Sequence, residues 1–191
     1  MTTQLTERRG WMPDPVRQRL ADHTVEDVLC LPDDAPRVEV RAGVLVPVPP
    51  PTDAHQQVTG LLWRWLRAHA PEEFQPAAGV GVVHGHRDTF EPDVVLLRRP
   101  FVRNHHYFDT RQIELVVEVV TAATRRRDRL EKPAEYAAAG IAHFWRVEQH
   151  PVQVDAYRLV AGRYQRLPCS GDEVVLTAPF EARLSFRDVT P

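Results

Sequence analysis

Apolar and polar positions change period several times along the chain, and each change marks an element. A short helix is predicted from Thr24 to Leu31, with Thr24 as N-cap, Asp27 completing a variant capping box and Pro32 as the stop. Val38 to Val48 alternates around Gly43 and reads as a hairpin, Val38 to Val40, a turn at Arg41-Ala42-Gly43, then Val44 to Val48. The prolines from Pro47 to Pro51 break it, and Asp53 is the predicted cap of the next helix. There Val58, Leu61, Leu62, Trp65 and Leu66 recur at helical spacing as far as about Pro71. Beyond it the period turns to that of strands: Gly79 to His84, Val94 to Leu97, and the strongest run, Ile113 to Val120, which two acids interrupt, Glu114 and Glu118.

Thr124 opens a basic, partly helical segment that runs to Ala139, with Gly140 as its C-terminal stop. Ile141 to Val147 is a further strand. Val152 to Leu159, Tyr164 to Leu167 and Val174 to Leu176 then alternate as a meander that turns at Ala161-Gly162. Residues 1–22, with Pro13 and Pro15 among scattered charges, show no period and read as an arm. Residues 23–191 read as one domain. The order of elements predicts a mixed α/β (α+β) fold, a central sheet flanked by helices, with an N-terminal hairpin and a C-terminal β-meander.

Composition narrows the class of protein. With 43% hydrophobic and 26% charged residues, the balance is that of a soluble globular chain rather than a disordered or membrane-embedded one. Met1 to Gly10 lacks the basic-then-apolar order of a secretory signal, and Cys30 and Cys169 stand alone, so the expected compartment is the cytoplasm and no membrane partner is expected. A net charge of −2 gives no general attraction to polyanions, so a nucleic-acid partner would need local basic patches. Arg98, Arg99 and Arg103 form one such run, and Arg125, Arg126, Arg127 and Arg129 another.

Of the 24 Lys and Arg residues one alone is lysine, Lys132. Arginine supplies surface charge as well as lysine does, so the retained ammonium asks for a reason, such as a compact charge with a tunable pKa. Asp93 stands just before one apolar strand and Glu118 inside another, where an unpaired carboxylate costs several kcal/mol, ~3 or more. Carboxylate oxygens suit a hard octahedral ion such as Mg²⁺ or Mn²⁺, and a nearby lysine suits a phosphate or an activated water. The plainer account is that Lys132 pairs with Asp128, four residues earlier on a helix.

Pro92-Asp93, then Glu118, then a lysine resembles the PD-(D/E)XK nuclease superfamily, and within it the Uma-type family of restriction-endonuclease-like proteins. The match is densest from Glu91 to Trp145: Leu115-Val116-Val117-Glu118-Val119-Val120, Arg126-Arg127-Asp128, Glu131-Lys132, Tyr136-Ala137, Ala139-Gly140-Ile141 and Phe144-Trp145. Glu39 before Gly43, and His55-Gln56 opening a helix, fit the same layout, so the resemblance spans roughly Thr24 to Asp188. It implies the restriction-endonuclease-like fold and a Mg²⁺ (or Mn²⁺) ion held by Asp93, Glu118 and the backbone carbonyl of Val119. The usual pattern puts the lysine two residues after the acid, where this chain has Val120. The Uma-type layout moves it to the following helix, which matches Lys132, with the role of orienting water and stabilising charge on the scissile phosphate. Glu39 is implied as an auxiliary catalytic acid. Thr121-Ala122-Ala123-Thr124 departs from the Ser-Pro-Ser-Thr usual in the family, and Pro133 either opens a helix or kinks one.

His55, Arg125, Arg126 and Arg129 are the candidate substrate contacts. His84 and His86 offer a metal pair on one strand face or, more simply, a polar strand end. His105-His106 reads as an exposed loop, and Trp63 and Trp65 as packing residues. The function expected is a metal-dependent endonuclease on DNA, working as a homodimer where both strands are cut. The alternatives are a catalytically silent nucleic-acid-binding or regulatory protein on the same fold, and a small-molecule phosphodiesterase.

Overall fold

The computed structural model describes residues 22–32, 35–101, 105–122 and 124–191. All but the last residue of the predicted arm, together with Arg103 and Ala123, lie outside them. Helix α1 (Val25–Leu29) has the predicted capping box of Thr24 and Asp27 but ends before Leu31, with Cys30 as C-cap. Strands β1 (Val38–Arg41) and β2 (Val44–Pro47) form the hairpin. Its turn is shorter than predicted because Ala42 and Gly43 alone, both at positive φ, make the reversal.

Helix α2 (Asp53–His69) is capped by Thr52, not Asp53. The Thr52 hydroxyl accepts from the His55 amide at 3.3 Å, while Asp53 lies inside the first turn and accepts from Gln57 at 2.9 Å. Strand β3 (Phe74–Ala78) was not predicted, since Gln75 and Pro76 break its pattern; as an edge strand it tolerates the proline. There follow β4 (Gly81–His84), β5 (Asp88–Phe90), β6 (Val94–Arg98), β7 (Tyr107–Asp109) and β8 (Ile113–Val119). His84 ends β4 and His86 falls in the turn after it, so the two do not share a strand face.

Arg127–Glu131 form a π-helical turn that runs into α3 (Lys132–Ala138). The Lys132 amide donates to the Arg127 carbonyl, five residues back, and Pro133, which has no amide to give, falls in the first turn of α3. Gly140 and Ile141 donate to the carbonyls of Ala137 and Tyr136, the Schellman stop that the glycine predicted. Strands β9 (His143–Gln149), β10 (Val152–Val160) and β11 (Arg163–Arg166) follow, then β12 (Cys169–Ser170), β13 (Glu173–Leu176) and β14 (Ala182–Ser185).

The central sheet has the order β11-β10-β9-β8-β6-β3, antiparallel except for the β8 and β9 pair, which α3 connects. The predicted meander therefore divides: β10 and β11 extend this sheet, and the last three strands form a small sheet of their own. On one face Val58, Leu62, Trp65 and Leu66 of α2 pack on Leu96, Leu115, Val117 and Trp145. On the other, Tyr136 of α3 packs with Val95, Val116 and Phe144. Trp65 is buried against Trp145 and Phe180, and Trp63 is 38% exposed with its indole N–H donating to the Pro76 carbonyl, so both tryptophans are packing residues. Among the described residues no helix is long and apolar enough to cross a membrane.

Candidate active site

The antiparallel pairing of β6 with β8 brings the two acids together. Val94 pairs with Val117, so Asp93 comes beside the Glu118-Val119 end of β8, where its Oδ2 accepts from the Val119 amide at 2.7 Å. Its Oδ1 lies 3.1 Å from Nε2 of His55, on the first turn of α2. Burial pushes the His55 imidazole down, but the hydrogen bond to Asp93, its charge and the backbone of Val119 outweigh that and raise it.

Glu118 turns towards α3. Its Oε2 is 2.7 Å from Nζ of Lys132, and its Oε1 accepts from the Tyr136 hydroxyl. Lys132 also lies 3.5 Å from Oδ1 of Asp128, a buried oxygen with no hydrogen-bond partner. Lys132 thus faces both the acid of β8 and the acid four residues before it. Burial, with Asp93 and Asp128 adding to it, pushes the Glu118 carboxyl up to about 8, and Lys132 offsets only part of this. Burial works against the Lys132 ammonium, yet the charges of Glu118, Asp128 and Asp93 hold it above its usual range.

These groups line one cavity of about 300 Å³, whose wall includes His55, Asp93, Glu118, Val119, Asp128 and Lys132. Its rim is formed by Pro49 to Thr52 and by Thr121, Ala122 and Thr124. The Thr121 and Thr124 hydroxyls each accept the other residue's amide at 3.1 Å, which closes that loop on itself.

Glu39 is 1% exposed and does not line the cavity. Its Oε1 accepts from the Glu91 amide at 3.0 Å and its Oε2 pairs with Arg127, so it clips the segment before Asp93 to the π-turn before Lys132. The other candidate arginines stand away from the acids. Arg129 pairs with Glu148 at 2.9 Å and lines a separate groove of about 450 Å³ beyond α3. Arg126 is 86% exposed, 3.9 Å from Glu131, and Arg125 is exposed. Arg98 pairs with Glu114, and Arg99 donates to Gln75. His105 and His106 are exposed. Tyr136 is the part of the site to which sequence reasoning gave no role, and Asp128 was read there only as an ion-pair partner of Lys132. The signal was there: at the start of a helix that follows an acidic strand, Asp128, Lys132 and Tyr136 recur at intervals of four, on one face.

No curated protein matches the sequence. Among solved structures, the crystal structure of "a putative nuclease belonging to DUF820 from Anabaena variabilis" superposes with a TM-score of 0.69 at 15% identity, over 87% of this chain and 96% of that one. The shared fold is the restriction-endonuclease-like one. Residues 25–189 match the Uma2 family, described as "Putative restriction endonuclease", from the capped helix that holds up the hairpin to the turn beneath α2, and the chain belongs to that family.

Proposed function

We propose that this chain is a nuclease that hydrolyses DNA phosphodiester bonds in the cavity of Asp93, Glu118 and Lys132, with Mg²⁺ or Mn²⁺ as its cofactor. The observation that carries the reading is the convergence of two acids from adjacent strands and the chain's sole lysine on one cavity. The residues fit a divalent cation. Asp93, Glu118 and the Val119 carbonyl are hard oxygen donors, and the carboxylates of Asp93, Glu118 and Asp128 outnumber the ammonium of Lys132. Burial raises the Glu118 carboxyl, the charges of Asp93 and Asp128 add to it, and a cation beside these acids would oppose that rise. Among the described residues no three His, Cys, Asp or Glu side chains stand together at metal-holding distance, so the fit rests on two carboxylates and a main-chain carbonyl.

When bound, the cation supplies a water of lowered pKa and positive charge at the phosphoryl oxygens. Lys132, held between Glu118 and Asp128, orients that water and stabilises the charge that builds on the scissile phosphate. His55 fixes Oδ1 of Asp93, and the Val119 amide fixes Oδ2. Glu39 acts at one remove, as a positioning residue. A second copy related by a two-fold axis would bring one such cavity to each strand of a duplex.

The test is incubation with plasmid and with single-stranded DNA in Mg²⁺ or Mn²⁺. Cleavage is expected in the wild type and not in Asp93→Ala or Lys132→Ala; cleavage that survives both substitutions places the chemistry elsewhere. One observation favours a second reading, a catalytically silent nucleic-acid-binding protein. Each oxygen of Asp93 and Glu118 already faces a protein donor. Calorimetric titration with Mn²⁺ separates the two, since the silent protein has no affinity that depends on Asp93.

A further inference from the structure

We infer that Arg37 binds a substrate phosphate: its guanidinium, aimed by the buried Glu91, takes a phosphate of the DNA strand beside the one that is cut. The inference rests on the nuclease reading above and adds to it a residue that grips substrate.

Arg37 lines the same cavity as Asp93, Glu118 and Lys132, at the wall formed by Glu91 and Val48. Its carbonyl accepts from the Val48 amide at 2.8 Å, which anchors its backbone to the hairpin. Nε, at 3.1 Å, and Nη2 both donate to one oxygen of Glu91, Oε2. Among the described residues Nη1 has no hydrogen-bond partner, so the outer edge of the fork is available. The exposures divide in the same sense, with the Arg37 side chain 50% exposed and that of Glu91 6%.

Glu91 is built into the fold as a support. Its amide donates to Glu39 at 3.0 Å, and the Tyr107 ring lies beside its carboxylate over Gly81. The chain leaves room for this arrangement at Gly81, where a Cβ would lie 2.1 Å from the Tyr107 ring and 2.9 Å from Oε1 of Glu91. A counter-ion for a buried carboxylate needs only its charge. Arg37 instead keeps half of a planar, five-donor fork in the open, the shape that meets a phosphate at two points.

Need and supply agree. A strand that enters this cavity meets the carboxylates of Glu91, Asp93, Glu118 and Asp128. Among the described residues Arg37 and Lys132 are the arginine and the lysine of its lining, and Lys132, 7% exposed, is the one assigned to the scissile phosphate, which leaves Arg37 for the phosphate beside it. The neighbouring arginines are engaged elsewhere, Arg41 with Glu131 and Glu135, and Arg127 with Glu39.

The experiment measures binding of a short labelled DNA duplex by fluorescence anisotropy in EDTA across a range of salt, with cleavage in Mn²⁺ followed in parallel. Arg37→Ala and Arg37→Gln are expected to weaken Kd about tenfold and to make the slope of log Kd against log salt shallower by about one, the loss of one phosphate contact. KM should rise with kcat nearly kept. Should Arg37→Ala fail to fold, Arg37→Gln combined with Glu91→Gln removes both charges and keeps the region neutral, and the same shallower slope is expected. An unchanged slope and Kd in folded variants overturns the inference, while cleavage by the wild type leaves the nuclease reading standing. A wild type that neither binds nor cuts DNA overturns both.

Discussion

Nζ of Lys132 lies 2.7 Å from Oε2 of Glu118, a contact made between the start of one helix and the end of the strand before it, with both side chains under 10% exposed. The π-turn that precedes Lys132 sets this reach. Its amide bonds five residues back, which widens the turn just where Pro133 has no amide to contribute. Lys132, remote from Glu118 in sequence, thus comes within ion-pair distance of it.

Lys132→Ala should abolish cleavage, with a loss of about a hundredfold or more, since the side chain is assigned to charge that develops on the phosphate. It should also destabilise the fold by about 3–5 kcal/mol, because Glu118 and Asp128 are left buried without a cation. Those carboxyls can take up protons instead, so the drop in Tm should be larger at pH 8 than at pH 5. Thermal melts at the two values check this.

Tyr136→Phe keeps the ring contacts with Phe90 and Phe144 and removes only the donor to Oε1 of Glu118. The expected cost is about 1–3 kcal/mol for a buried acceptor without a partner. Urea denaturation should show a lower midpoint with an unchanged m-value.

Glu39 and Arg127 should prove coupled. Glu39→Gln can still accept from the Glu91 amide but loses its ion pair with Arg127. Stability measurements on Glu39→Gln, Arg127→Met and the double variant should give an interaction energy of about 1 kcal/mol or more. In cleavage assays kcat should fall more than KM rises, as expected of a residue that sets the geometry of Asp93 and Lys132 without touching substrate.

The pH dependence of stability should carry the signature of Glu114. Burial would raise its carboxyl, but the hydrogen bond with His143 and the charge of Arg98 reverse that and hold it below its unfolded value of 4.5. A lowered folded pKa means stability that is fully present above about pH 4.5 and lost as pH falls through the lower folded value. Melts of the wild type and of Glu114→Gln should therefore differ most at neutral pH and converge in acid; a gap that stays constant as pH falls removes Glu114 from the account.

Much of the fold was legible because local patterns and tertiary structure agree. The capping box at Thr24, the hairpin around Gly43, the apolar stripe of α2, the predominantly apolar run of β8 and the stop at Gly140 are fixed by interactions among near neighbours. Strands β3, β5, β7, β12 and β14 were missed because they are short, or polar at positions that face solvent, and become strands only by pairing. Thr52 and Asp53 are both good caps, and which of them served was settled by where the helix began.

The sequence by itself determined the residue types of the site. It set two acids at apolar strands and a single lysine after them, because an acid in such a run must find a partner. What only the tertiary structure decided is how the charges are shared. Register sets Asp93 beside Val119 and gives it to His55, on the first turn of α2. Pleating turns Glu118 towards α3, where Lys132, Tyr136 and Asp128 meet it. Glu39, whose spacing resembled that of a catalytic acid, became a clip behind the cavity. Arg37, which no motif marked, came to the cavity wall. The physical reason is that hydrogen bonds and ion pairs act over a few ångströms. Which of the distant residues come that close is fixed by strand pairing and helix packing, on which the local sequence is silent.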